Sequence, residues 1–137
     1  MDEKQLRKLH NLVWINYHNQ MEIVFEDVEE DDFGSYLISR RVSLPKIIIA
    51  HPTEWSLFAF LHEVGHIMTN TTKMKRCEQE FLATQWALKE AKRIGFHVPE
   101  AYVRVYQQYI WNWHEAGRRL KGRSMKTTEE LTLKYPI

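Results

Sequence analysis

A single cysteine, Cys77, stands in this 137-residue chain, so it can close no internal disulfide and a reducing compartment is the simpler reading. Long apolar runs are missing as well: none approaches the roughly 20 residues that a membrane-crossing helix needs. The opening "MDEKQLRKLHNLVW" lacks the apolar segment and small residues of a signal peptide. Neither sign of charge dominates. Nineteen Lys and Arg against 18 Asp and Glu leave a formal net charge of +1, which favours neither nucleic acid nor a membrane surface. No internal repeat, long linker or low-complexity block interrupts the chain. What is present is ordinary globular composition, 44% hydrophobic and 27% charged, of a length that suits one domain. A cytoplasmic protein is expected.

Leu6, Leu9, Val13 and Tyr17 recur at helical spacing, with Leu12 beside them, and predict a first helix over residues 2–20. "MEIVFEDV" then alternates Ile23, Phe25 and Val28 with acids, as a strand with one wet face does. Residues 22–32 hold seven acids and no base, which reads as a solvated loop rather than a selector of substrates. "YLISRRVSL" follows the Gly34–Ser35 turn as a second strand, and "KIIIAH" between prolines as a third. Thr53 is placed to cap a helix running to about Met68. A third helix spans 76–94 with Gly95 as its stop, and Pro99 and Glu100 open a fourth, to about Leu120. The expected class is α+β: an N-terminal helix, a small three-stranded twisted sheet, a central helix and two further helices. One domain is expected over 1–125, with a C-terminal tail over 126–137 that includes a short docked piece at "LTLKY".

The chemistry lies in "LHEVGHI", residues 61–67. His62 and His66 share a helix face because one turn takes about 3.6 residues, and two imidazoles so placed can bind zinc. Glu63, offset by one residue, can sit beside the ion and take a proton from a water whose pKa the ion lowers. This is the HExxH pattern of zinc peptidases. Leu57, Phe58, Phe60, Leu61, Val64, Ile67 and Met68 make the helix apolar almost all round, so it is expected to be buried. Burying two imidazoles and a carboxylate without partners costs several kcal/mol, and a metal supplies the partner. Gly65 suggests that something packs close. The competing reading keeps His62 and His66 as hydrogen-bonded core residues, with Glu63 at the surface.

A catalytic zinc takes three protein ligands and keeps one open position. The extended HExxHxxGxxH pattern is absent, since Thr69 and Thr72 stand where its glycine and last histidine would be. The better third ligand is Glu80, which shares a face with Ala83, Thr84 and Ala87 on the next helix; the two alanines let that helix come close. Glu78, on a different face, is the competing choice. Together, "LHEVGHIM" at 61–68 and "EFLATQWA" at 80–87 resemble the ImmA/IrrE-like metallopeptidases of phages and mobile elements, across roughly residues 45–95. The resemblance implies a minimal zincin-like domain of gluzincin type, with Zn2+ held by His62, His66 and Glu80 and with Glu63 as base. It also implies a specific regulatory protein, such as a mobile-element or phage repressor, as substrate. Thr84 departs from the family's Asp or Asn, leaving the histidine beside it a partner without charge. Metal binding is therefore more secure than efficient catalysis.

Other residues carry weaker signals. His51, His97, His114, Tyr102, Tyr106 and Tyr109 are candidate oxyanion donors, none singled out, and Tyr102, Val105, Tyr106, Tyr109, Trp113, Ala116 and Leu120 read first as a core stripe. "KIIIAH" or "YLISRR" could form a sheet edge that binds an extended peptide. From Lys89 to Lys126, nine bases against three acids raise a nucleic-acid reading, though such residues mostly form the wet faces of helices. Cys77 reads as passive. Two rivals to hydrolysis follow: a zincin-fold module that sequesters a partner protein, and a small nucleic-acid-associated protein.

Overall fold

The computed structural model describes residues 1–25, 35–37, 46–49, 53–69 and 74–119. Four helices account for most of them: α1 (Glu3–Tyr17), α2 (Glu54–Thr69), α3 (Arg76–Ile94) and α4 (Glu100–Arg119). Three short strands lie between α1 and α2: β1 (Glu22–Phe25), β2 (Ser35–Leu37) and β3 (Lys46–Ile49).

The expected α+β class is corrected by this structure, which is mostly helical. Helices of 15, 16, 19 and 20 residues face strands of only 4, 3 and 4. The core explains why. Its buried members are Leu6 and Val13 of α1, Met21 just ahead of β1, Leu57, Phe58, Phe60, Leu61 and Val64 of α2, Ala87 and Ala91 of α3, and Phe96. Apolar burial is the main driving term in folding, and the helices supply nearly all of it among the residues whose burial is described. Strand pairing is a local addition, in the order β1-β3-β2. β1 runs parallel to β3, with Ile23 beside Ile47, and β2 antiparallel to it, with Tyr36 beside Ile48. β3 is thus central, so Lys46–Ile49 supplies no free edge among the described strands. The last two residues of "KIIIAH", most of the acidic run and the 126–137 tail lie outside the described residues.

Local sequence signals set the starts of α1 and α2 and the end of α3. Asp2 caps α1 by accepting from the Gln5 backbone at 2.8 Å, while the Gln5 side chain accepts from the Asp2 backbone at 3.2 Å. Thr53 does the same for α2: its Oγ1 accepts from Ser56 N at 3.0 Å and Ser56 Oγ accepts from Thr53 N at 2.9 Å. Gly95 ends α3 at φ 83°, a left-handed conformation that glycine adopts without penalty. Phe96 N then donates to Ala91 O at 2.8 Å, closing the Schellman arrangement.

α2 is the axis of the molecule, packed against α1, α3, β2 and β3. His10 locks α1 to it. Its Nδ1 meets Leu6 O at 2.8 Å, its Nε2 meets Ser56 Oγ at 3.3 Å, and its ring stacks on Phe60. A second cluster of Cys77, Ile110 and Trp111, with Phe81 against it, ties α3 to α4. Among the described residues no helix is long and apolar enough to cross a membrane.

Candidate metal centre

Residues Ser56–His62 and Val64–His66 of α2 are all buried, so both histidines of the HExxH pattern sit inside the protein. The close approach of α3 brings them their partner. A Cβ added to Gly65 would meet the Ala83 carbonyl oxygen at 2.6 Å, so only glycine allows the two backbones this contact. One turn before Ala83, Glu80 points back at α2. Its Oε2 lies 2.7 Å from His62 Nε2 and 3.0 Å from His66 Nε2. All three side chains are closed to solvent, at 2%, 4% and 1% relative exposure. Glu80 is the carboxylate that converges on the histidines; Glu78 is half-buried on the neighbouring face.

Thr84 decides which nitrogen of His62 carries the proton. Its hydroxyl lies 2.8 Å from the Glu80 carbonyl and 3.1 Å from His62 Nδ1. The carbonyl can only accept, so the hydroxyl donates to it, and His62 Nδ1–H donates to the hydroxyl oxygen. The Nε2 of His62 then presents a lone pair to the Glu80 carboxylate. Two electron-rich atoms at 2.7 Å need a cation or a proton between them. A proton is disfavoured: burial first, then the charges of His66 and Arg76, lower the His62 pKa to about 4 against the pull of Glu80. Burial alone would raise the Glu80 carboxyl, but contact with His62 and His66 more than offsets it and holds the group well below the usual carboxylate range. The donor set, two imidazoles and one carboxylate kept ionised, fits zinc.

Glu63 is half-buried, and one of its oxygens lies within 4.8 Å of ring nitrogens of both histidines. It could serve as a ligand in its own right. Glu80 is in direct contact with both rings and fully buried, whereas Glu63 is only half-buried.

Two further residues shape the site, and the sequence singled out neither. Arg76, one turn before Glu80 on α3, places its Nε 2.9 Å from Glu80 Oε1. Tyr106 of α4 lays its ring 4.3 Å from that of His62, tilted by 36°, and also meets Phe58 edge-on. Burial and then the charges of Glu63 and Glu80 push the Tyr106 hydroxyl far up, so it stays a neutral phenol. The signal for Arg76 was its i,i+4 spacing to Glu80, the expected third ligand. Tyr106 was one of several candidate oxyanion donors, none singled out, and read first as part of a core stripe. Of the other candidates, Tyr102 packs on Trp55, Tyr109 on Tyr106 and Trp113, and His114 on Trp111, while His97 is exposed. His51 lies outside the described residues. Of the bases in the C-terminal half, Arg93 pairs with Glu90 and Arg104 with Glu100 on their own helices. No family model matches this chain, and no curated protein or solved structure matches it either.

Proposed function

We propose that this chain is a zinc-dependent peptidase of the ImmA/IrrE-like kind, in which His62, His66 and Glu80 hold one ion and Glu63 is the base. The observation that supports this reading is the meeting of His62 Nε2, His66 Nε2 and Glu80 Oε2 at 2.7 and 3.0 Å in a buried place. A zinc ion held there supplies a Lewis acid for a peptide carbonyl and brings the pKa of a water toward neutrality.

The remaining work belongs to the chain. Glu63 takes a proton from the attacking water and passes it to the departing amine, so peptide and water become a free carboxylic acid and a free amine, or carboxylate and ammonium once the second proton moves across. Its half-buried position suits both ends of that transfer. Thr84 holds His62 in the tautomer that offers Nε2, and Tyr106 covers one face of the His62 ring. The substrate class, a regulatory protein such as a mobile-element or phage repressor, follows from the resemblance carried by residues 61–68 and 80–87, and the cytoplasmic setting from the single cysteine, Cys77.

Elemental analysis of the purified protein tests the centre: about one zinc per chain is expected, lost in His62→Ala. Folded, metal-free wild type would sink the reading. Glu63→Gln, which keeps the ligands, should retain zinc and lose cleavage of co-expressed regulatory proteins. An unchanged biological effect in that variant would instead favour sequestration of a partner, the reading that the uncharged Thr84 keeps open.

A further inference from the structure

The Glu80 carboxylate is divided between two kinds of neighbour. Oε2 faces the histidines, and Oε1 faces Arg76 at 2.9 Å. The guanidinium is itself held from the other side: its Cζ lies 5.0 Å from the centroid of the Trp113 ring, and Tyr109 is its further polar neighbour. An arginine gripped by an aromatic face and a phenol has little freedom to swing away, and its flat fork suits a carboxylate better than an ammonium does. α4 therefore anchors a residue of α3 that in turn orients a ligand on α3.

Resting on the metal reading above, we infer that Arg76 restricts Glu80 to one-oxygen coordination and so keeps the centre four-coordinate. A carboxylate free of such a partner can offer both oxygens to an ion, raising the coordination number toward what manganese and magnesium prefer. Arg76 is a positioning residue: it touches neither ion nor substrate. Affinity alone is a poor probe, because a cation beside the site also repels the metal, and the two effects oppose one another. Coordination number is the direct readout.

The test uses the full chain loaded with Co2+, whose visible absorption per bound ion is strong when four-coordinate and weak when five- or six-coordinate. Wild type should give the strong spectrum. Arg76→Met should bind cobalt with severalfold weaker absorption per ion, and its preference for zinc over manganese should narrow. Arg76→Lys should fall between, because it keeps the charge without the fork. Arg76 is about half exposed, at 47% for its side chain, so both variants should keep the wild-type far-UV circular dichroism. If the Met variant does not fold, the Lys variant decides, and an unchanged spectrum overturns the inference. Wild-type absorption in a folded Met variant overturns it too, while leaving the metal centre standing. A wild-type chain that binds no cobalt overturns both.

Discussion

Gly65 and Ala83 stand backbone to backbone. A Cβ at position 65 would lie 2.6 Å from the Ala83 oxygen and 3.2 Å from its Cα, and no rotamer change can relieve contact with main chain. Gly65→Ala gains about 1 kcal/mol of helix propensity but incurs about 1–3 kcal/mol of overpacking, so stability should fall or barely hold. The wedge also moves α3 away from α2, carrying Glu80 off the histidines. Denaturant midpoints and zinc per folded chain should decline together. A more stable variant with full zinc content would show that the helices are not so close.

Thr84 supplies one hydroxyl to two neighbours, the Glu80 carbonyl and His62 Nδ1. Thr84→Val keeps the shape, removes both bonds and frees the His62 tautomer. Zinc affinity should drop by about 10–100-fold in competition with a chromophoric chelator. Thr84→Ser should retain most of it. Equal losses in both variants would point to packing instead.

His10 is buried against Leu6 O, Ser56 and Phe60, with Arg7 the nearby charge. Burial foremost holds its pKa below 6.5 in the folded chain, although the Leu6 carbonyl opposes this. The unfolded chain then binds the extra proton first. The stabilising contribution is complete above 6.5 and is lost as pH falls through the folded value. Urea unfolding at a series of pH values should show a slope below 6.5 that His10→Gln makes shallower. Identical slopes would remove His10 as its source.

Tyr17 gives the opposite sign. Burial first, then the hydrogen bond and charge of Glu90, raise its pKa from 10.0 to about 12, and its ring meets Trp86 edge-on at 5.4 Å. Its contribution is complete below 10.0 and lost as pH rises through about 12. Tyr17→Phe should flatten the alkaline arm of the same stability profile. Ultraviolet titration of the tyrosinates gives an independent check on the wild type.

The helices were legible because each carries its own instructions. Asp2 with Gln5, Thr53 with Ser56, and Gly95 act within a turn or two of chain, so their caps do not depend on distant partners. The strands were legible as places but not as a class. Alternation at "MEIVFEDV" marks an extended segment, and its described part, Glu22–Phe25, pairs with β3 some twenty residues further on. The strands' share of the core could not be read locally; among the residues whose burial is described, the helices hold nearly all of it.

The site divides in the same way. By itself the sequence determined that His62 and His66 share one face of an apolar helix and that Glu80, Ala83 and Thr84 share a face of the next, since helical geometry fixes both. It also placed the glycine that lets the two faces meet. Only the tertiary structure decided that Glu80 rather than Glu78 meets both rings, that Arg76 holds the other oxygen from a pocket of Trp113 and Tyr109, and that Tyr106 lies on His62. Those contacts join elements up to 44 residues apart, and the angle and depth at which packed helices cross set them, which no local periodicity encodes.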